Sequence, residues 1–211
     1  FLPIVLPLLE LKPYARWTDN GQEHKGIINW DLCESNNYTI IDETTQNSVV
    51  NDFEIACNKN KTVILGVMLY LGVFIGSIIN PFIADRFGRK KTVISCSALY
   101  ICVCIIFYFN SSNLVLLYIS FFLSGVFYMM IAITASIGLS EVVRKEFLSI
   151  YICISYTAYS FFGIIFTLIF YYNSDWKVVF LIVAIVQAAC STVYFFYLEE
   201  SPRFHLMKGN V

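Results

Sequence analysis

Five stretches of this chain, 62–84, 92–109, 114–140, 147–172 and 178–198, contain no Lys, Arg, Asp or Glu, and this constrains the fold more than any other feature. A helix rises about 1.5 Å per residue, so roughly 20 apolar residues cross the hydrocarbon core of a bilayer. Each run is near or above that length, and the chain is expected to be an all-α membrane protein with five spans. Composition agrees: 58% of residues are hydrophobic, 14% are charged and the mean hydropathy is +0.68, more apolar than a water-soluble domain of this length requires. Phe1 to Leu9 is a shorter apolar stub, read as the end of a preceding membrane helix. It lacks the basic region and small-residue cleavage site of a signal peptide.

Short basic loops stay on the cytoplasmic side, so the positions of Lys and Arg orient the spans. Arg86, Arg89, Lys90 and Lys91 lie between the first two runs, Arg144 and Lys145 after the third, and Arg203 and Lys208 after the last. The turns 110–113 and 173–175 carry no basic residue and are placed outside. The segment from Glu10 to Lys61 then also faces outward, with nine acids against five bases. A net charge of -1 gives no surplus of cations for phosphate, so nucleic acid is excluded as a partner.

The outer segment reads as a loop-rich cap, on signals such as Asp19-Asn20-Gly21 and Asn36-Asn37. It holds Cys33 and Cys57. A disulfide between them fits an oxidising exterior, and two free thiols are the other reading. The remaining five Cys lie inside apolar runs and read as small packing residues. Asn37-Tyr38-Thr39 is a glycosylation sequon on the outer side, whereas the sequons at Asn60 and Asn110 hug the bilayer. His24 and His205 fall on opposite sides of the membrane, so no shared metal site is expected. No phosphate-binding loop, Gly-x-Ser-x-Gly elbow or HExxH motif is present, so the sequence implies neither enzyme activity nor a cofactor.

The loop between the first two runs reads Asp85-Arg86-Phe87-Gly88-Arg89-Lys90-Lys91. This order resembles the loop motif G-x-x-x-D-R-x-G-R-R/K of the major facilitator superfamily. After the last run, Glu200-Ser201-Pro202-Arg203 resembles the end of the sixth helix in the sugar porters and the organic cation/anion transporters of that superfamily. The long outer segment, its end Asp52-Phe53-Glu54-Ile55-Ala56-Cys57, the run Gly72-Val73-Phe74-Ile75-Gly76-Ser77 and the element Asp175-Trp176-Lys177 are similar to the organic-ion branch. Sugar porters are the nearest alternative. The resemblance runs from about Asp52 to Gly209. It implies the N-terminal six-helix bundle of a major facilitator fold. Residues 1–9 would end helix one, 10–61 form the outer Cys-containing domain, 62–198 supply helices two to six, and 199–211 start the cytoplasmic linker to a second half.

That resemblance also implies a function: movement of a small organic ion across the bilayer by alternating access, in an integral membrane protein of the plasma membrane, with an organellar membrane as the other possibility. Asp85, Arg86, Gly88, Arg89, Lys90, Glu141, Arg144, Glu200 and Arg203 are the expected cytoplasmic charge cluster of the inner gate; the plainer reading is that they anchor helices at the interface. No ionisable acid or base lies within the spans, so Tyr70, Tyr128, Tyr156, Tyr159 and Gln187 are the candidates for lining a substrate cavity. Gly66, Gly72 and Gly76 are expected to let the second helix pack closely. Two departures stand out. Pro81 replaces the first Gly of the loop motif, where a kink is expected. Phe121 stands where the family carries an Arg held to be a partner of the loop Asp. These motivate a second expectation, a non-transporting scaffold that packs against other membrane subunits.

Overall fold

The computed structural model describes residues 14–19, 22–27, 33, 38–40, 48–110, 112–144, 146–173 and 175–197. Three strands, β1 (Tyr14–Asp19), β2 (Gln22–Ile27) and β3 (Tyr38–Ile40), form an antiparallel sheet in the order β2-β1-β3. The sequence reads as loop here because YARWTD and QEHKGI show no apolar alternation. Their pairing runs from Tyr14 opposite Ile27 to Asp19 opposite Gln22, and Trp17 stacks on its cross-strand partner His24 at 5.9 Å. Cys33 is disulfide-bonded to Cys57, with 5.4 Å between their Cα atoms, and this ties the outer segment to the chain just ahead of the first long helix.

A short helix α1 (Val49–Asp52) precedes five long ones: α2 (Lys59–Phe87), α3 (Arg89–Phe109), α4 (Leu114–Val142), α5 (Leu148–Asn173) and α6 (Trp176–Tyr197). All five long helices are long and apolar enough to cross a membrane. They match the uncharged runs to within about three residues at either end, and α2 begins at a side-chain cap. The Asn58 side chain accepts from the Lys61 N–H at the start of α2, and Asn113 Oδ1 accepts from the N–H groups of Val115 and Leu116 at the start of α4. Asn110 and Asn113 exchange two 3.0 Å hydrogen bonds that close the α3–α4 turn.

Between α2 and α3 the connection is a single residue. Gly88 has φ 94°, a conformation open to glycine, and its N–H bonds the Ala84 carbonyl while its own carbonyl accepts from the Thr92 hydroxyl at 2.7 Å. Upstream, α2 runs unbroken through Pro81, although proline brings no N–H to the carbonyl four residues back.

The closest packing is between α2 and α4, which run parallel. A Cβ on Gly72 would meet the Phe122 carbonyl, one on Gly125 would meet the Leu69 carbonyl, and one on Gly76 would lie 2.6 Å from the Val126 carbonyl. Backbone thus lies on backbone, as small residues permit in lipid. Near the outer end, the Tyr118 hydroxyl donates to the Lys61 carbonyl at 3.0 Å; further in, the Thr134 hydroxyl donates to Asn80 Oδ1 at 2.7 Å.

Phe121 is wholly buried, with its ring edge-on to Phe107 at 5.0 Å and to Phe180 at 6.4 Å. It cannot substitute for a partner of Asp85. Thr134, level with Asn80 near the inner end, is thirteen residues further along α4, roughly 20 Å inward. The expectation that Phe121 deprives Asp85 of a neighbour is therefore corrected: α2 and α4 run parallel, and position 121 belongs to the outer half. Large apolar side chains such as Phe82, Phe109 and Phe196 are about three-quarters exposed, a surface suited to lipid rather than water.

Candidate functional site

Tyr128, Tyr159 and Gln187 come together from three different helices, and a fourth polar side chain, Tyr100 of α3, joins them. They line a cavity of about 280 Å³ whose walls include Ile131, Phe162, Phe166 and Val183. Each of the four sits near the middle of its helix, so the cavity lies at the depth of the bilayer midplane. The Tyr128 hydroxyl donates to the Tyr159 hydroxyl at 3.5 Å, and Gln187 Nε2 donates to Ser97 Oγ at 3.0 Å. Ser97 and Tyr100 share a face of α3, which is how the Gln187 amide is held beside the phenols. Among the described residues, none that lines the cavity carries a formal charge.

Tyr70 and Tyr156 do not line this cavity. Tyr70 is 53% exposed on α2, and Tyr156 is 70% exposed on α5, one turn from Tyr159. Tyr100 is absent from the sequence expectation although it carries the same signal as Tyr128: a hydroxyl-bearing aromatic in mid-span. What separates it is burial, 3% exposed, which periodicity cannot supply in a helix that is apolar all round.

At the inner end, Asp85 and Arg86 are exposed, Arg89 and Lys90 are half-buried, and Gly88 forms the link described above. Arg86 lies over the Phe87 ring at 5.8 Å, and Lys90 Nζ lies 5.2 Å from the Phe195 ring of α6, so the loop reaches the end of the last helix. Arg144 is exposed, and its carbonyl accepts from the Phe147 N–H ahead of α5. Glu141 lies in α4. Asn37, Glu200 and Arg203 fall outside the described residues.

A second polar node lies at the outer end. Asp52 Oδ2 accepts from Trp176 Nε1 at 2.9 Å and pairs with Lys177 Nζ at 3.0 Å. Val49, Val50 and Ile55 are buried around it, and Phe53 packs on Trp176 at 6.3 Å. The end of the outer segment at Asp52 thus meets Trp176 and Lys177, so the outer segment is docked onto the start of α6.

The family model described as Major Facilitator Superfamily matches residues 56–208. Similar proteins include an organic cation/carnitine transporter 2 of Rattus norvegicus, 25% identical over 169 residues, and solute carrier family 22 member 21 of Mus musculus, 26% identical over 168 residues. Both matches cover 78% of the chain. Solute carrier family 22 member 14 of Homo sapiens is 28% identical over 191 residues, or 88% of the chain. The chain spans 29% of the length of the first two relatives and 31% of the third.

Proposed function

Because the chain belongs to the Major Facilitator Superfamily, we propose that it forms most of the N-terminal half of a secondary transporter that carries small organic ions by alternating access. The observation that supports this most is the midplane cavity, where Tyr128, Tyr159 and Gln187 from three helices face one space. The relatives named for organic cations and carnitine favour the organic-ion branch over the sugar porters. In this reading residues 1–9 end the first helix, 199–211 begin the linker, and a second half supplies the counter-charge that these spans lack. The exposed charges of the α2–α3 link, with Glu141, Arg144, Glu200 and Arg203, close the inner gate by contacts with that half. Each exposed pair contributes about 0 to 1 kcal/mol, weak enough to break and re-form in each cycle. Asn37 carries a glycan, and the plasma membrane is the site of action.

The test is uptake by vesicles containing the full-length protein, measured over a panel of organic cations and anions. Saturable flux for at least one member is expected. Its absence across the panel overturns the proposal and favours the scaffold reading.

A further inference from the structure

Tyr100 is the most deeply buried polar residue lining the cavity, and among the described residues its hydroxyl meets no oxygen or nitrogen partner, only the weakly accepting sulfur of Cys104. Its neighbours are the Cys104 thiol one turn away and the two hydroxyls of Tyr128 and Tyr159. A buried phenol normally finds an oxygen or nitrogen acceptor, so a hydroxyl without one beside an empty space points to a guest that supplies it. Two of the other polar groups are engaged with protein: the Tyr128 hydroxyl donates to Tyr159, and Gln187 Nε2 donates to Ser97. Tyr100 Oη is the buried hydroxyl that a guest could satisfy, with the Gln187 side chain close by.

The remaining wall is largely apolar, and among the described residues no lining group is charged. An ion entering it would depend on the second half for its counter-charge, whereas a neutral ring would exchange water for aliphatic and aromatic contacts with this half alone. In size, about 280 Å³ exceeds the ~150 Å³ apolar cavity known to admit benzene, so one substituted ring fits. The geometry points to a binding site for an uncharged, ring-bearing molecule that accepts a hydrogen bond from Tyr100 Oη. This goes beyond the transport of organic ions, since a neutral guest needs no counter-charge from the second half.

Three probes separate the possibilities in full-length protein reconstituted in nanodiscs: pyridine N-oxide, a neutral ring with a strong acceptor; benzene, a ring without one; and tetraethylammonium, a cation. Pyridine N-oxide binds saturably, Tyr100→Phe weakens it about tenfold, and benzene affinity stays within twofold. Ala132→Leu, which fills the space from α4, removes both ring probes and keeps the site falsifiable should the Tyr100 variant misfold. Equal affinity of wild type and Tyr100→Phe for pyridine N-oxide, no saturable binding of it, or its competitive displacement by tetraethylammonium each overturns the assignment. Saturable ion uptake without neutral binding sinks this inference alone and leaves the transport reading intact. Neutral binding without ion uptake does the reverse.

Discussion

The Thr134 hydroxyl donates to Asn80 Oδ1 at 2.7 Å, and both side chains are wholly buried between α2 and α4. Thr134→Val keeps the shape and removes the donor, which leaves the Asn80 oxygen without its partner in an apolar setting. A loss of about 1 kcal/mol is expected, at the scale of interhelical hydrogen bonds in membranes. Thermal unfolding in detergent checks it: Thr134→Val lowers the midpoint and Thr134→Ser does not.

Glycine substitutions distinguish the α2–α4 crossing from ordinary helix packing. Gly125→Ala places a methyl against the Leu69 carbonyl, and backbone cannot move aside as a side chain does. At Gly138 the same methyl meets the Tyr194 hydroxyl at 3.4 Å, ordinary contact. Monodisperse yield in size-exclusion chromatography is expected to collapse for Gly125→Ala and to hold for Gly138→Ala.

The outer node separates charge from hydrogen bonding. A double-mutant cycle between Asp52 and Lys177 is expected to give a coupling of about 0.5 to 1 kcal/mol at low salt, shrinking in 0.5 M NaCl to less than about half, because both side chains reach solvent. Asp52→Asn keeps an acceptor for Trp176 Nε1, whereas Asp52→Ala leaves that N–H unpaired and costs about 1 kcal/mol more. Equal midpoints for the Asn and Ala variants would show that the indole bond contributes nothing.

Gly88→Ala forces an L side chain to φ 94° in the link between α2 and α3. The expected cost is about 1 to 2 kcal/mol. Gly163→Ala, in a helix interior, serves as the control: it gains helix propensity and is expected to raise or hold the unfolding midpoint.

The five long helices were legible because lipid excludes charge, and the ends of the uncharged runs fall within a few residues of the helix ends. Gly72 and Gly76 were readable as a close-packing face, since their spacing puts both on one side of α2. Their partner Gly125 was not, because it takes the register of a second helix to place it. The same register moves Phe121 away from Asp85. The strands of the outer segment escaped notice because Arg16, Glu23 and Lys25 break the apolar pattern of a half-buried sheet. In the cavity, chemistry selected Tyr128, Tyr159 and Gln187, but it equally selected Tyr70 and Tyr156. Which aromatic faces inward depends on helix rotation, and a helix apolar on every side carries no record of that in its sequence.

The ties between α2 and α4 occupy three levels: Tyr118 on the Lys61 carbonyl, the glycine crossing, and Thr134 on Asn80. A rod held to its neighbour at one level can pivot, and at two it can still roll. Held at three, through backbone as well as side chains, it can do neither without unmaking the joint. In the alternating-access reading, rocking would carry the two helices as one body, with Gly88 as its link to α3.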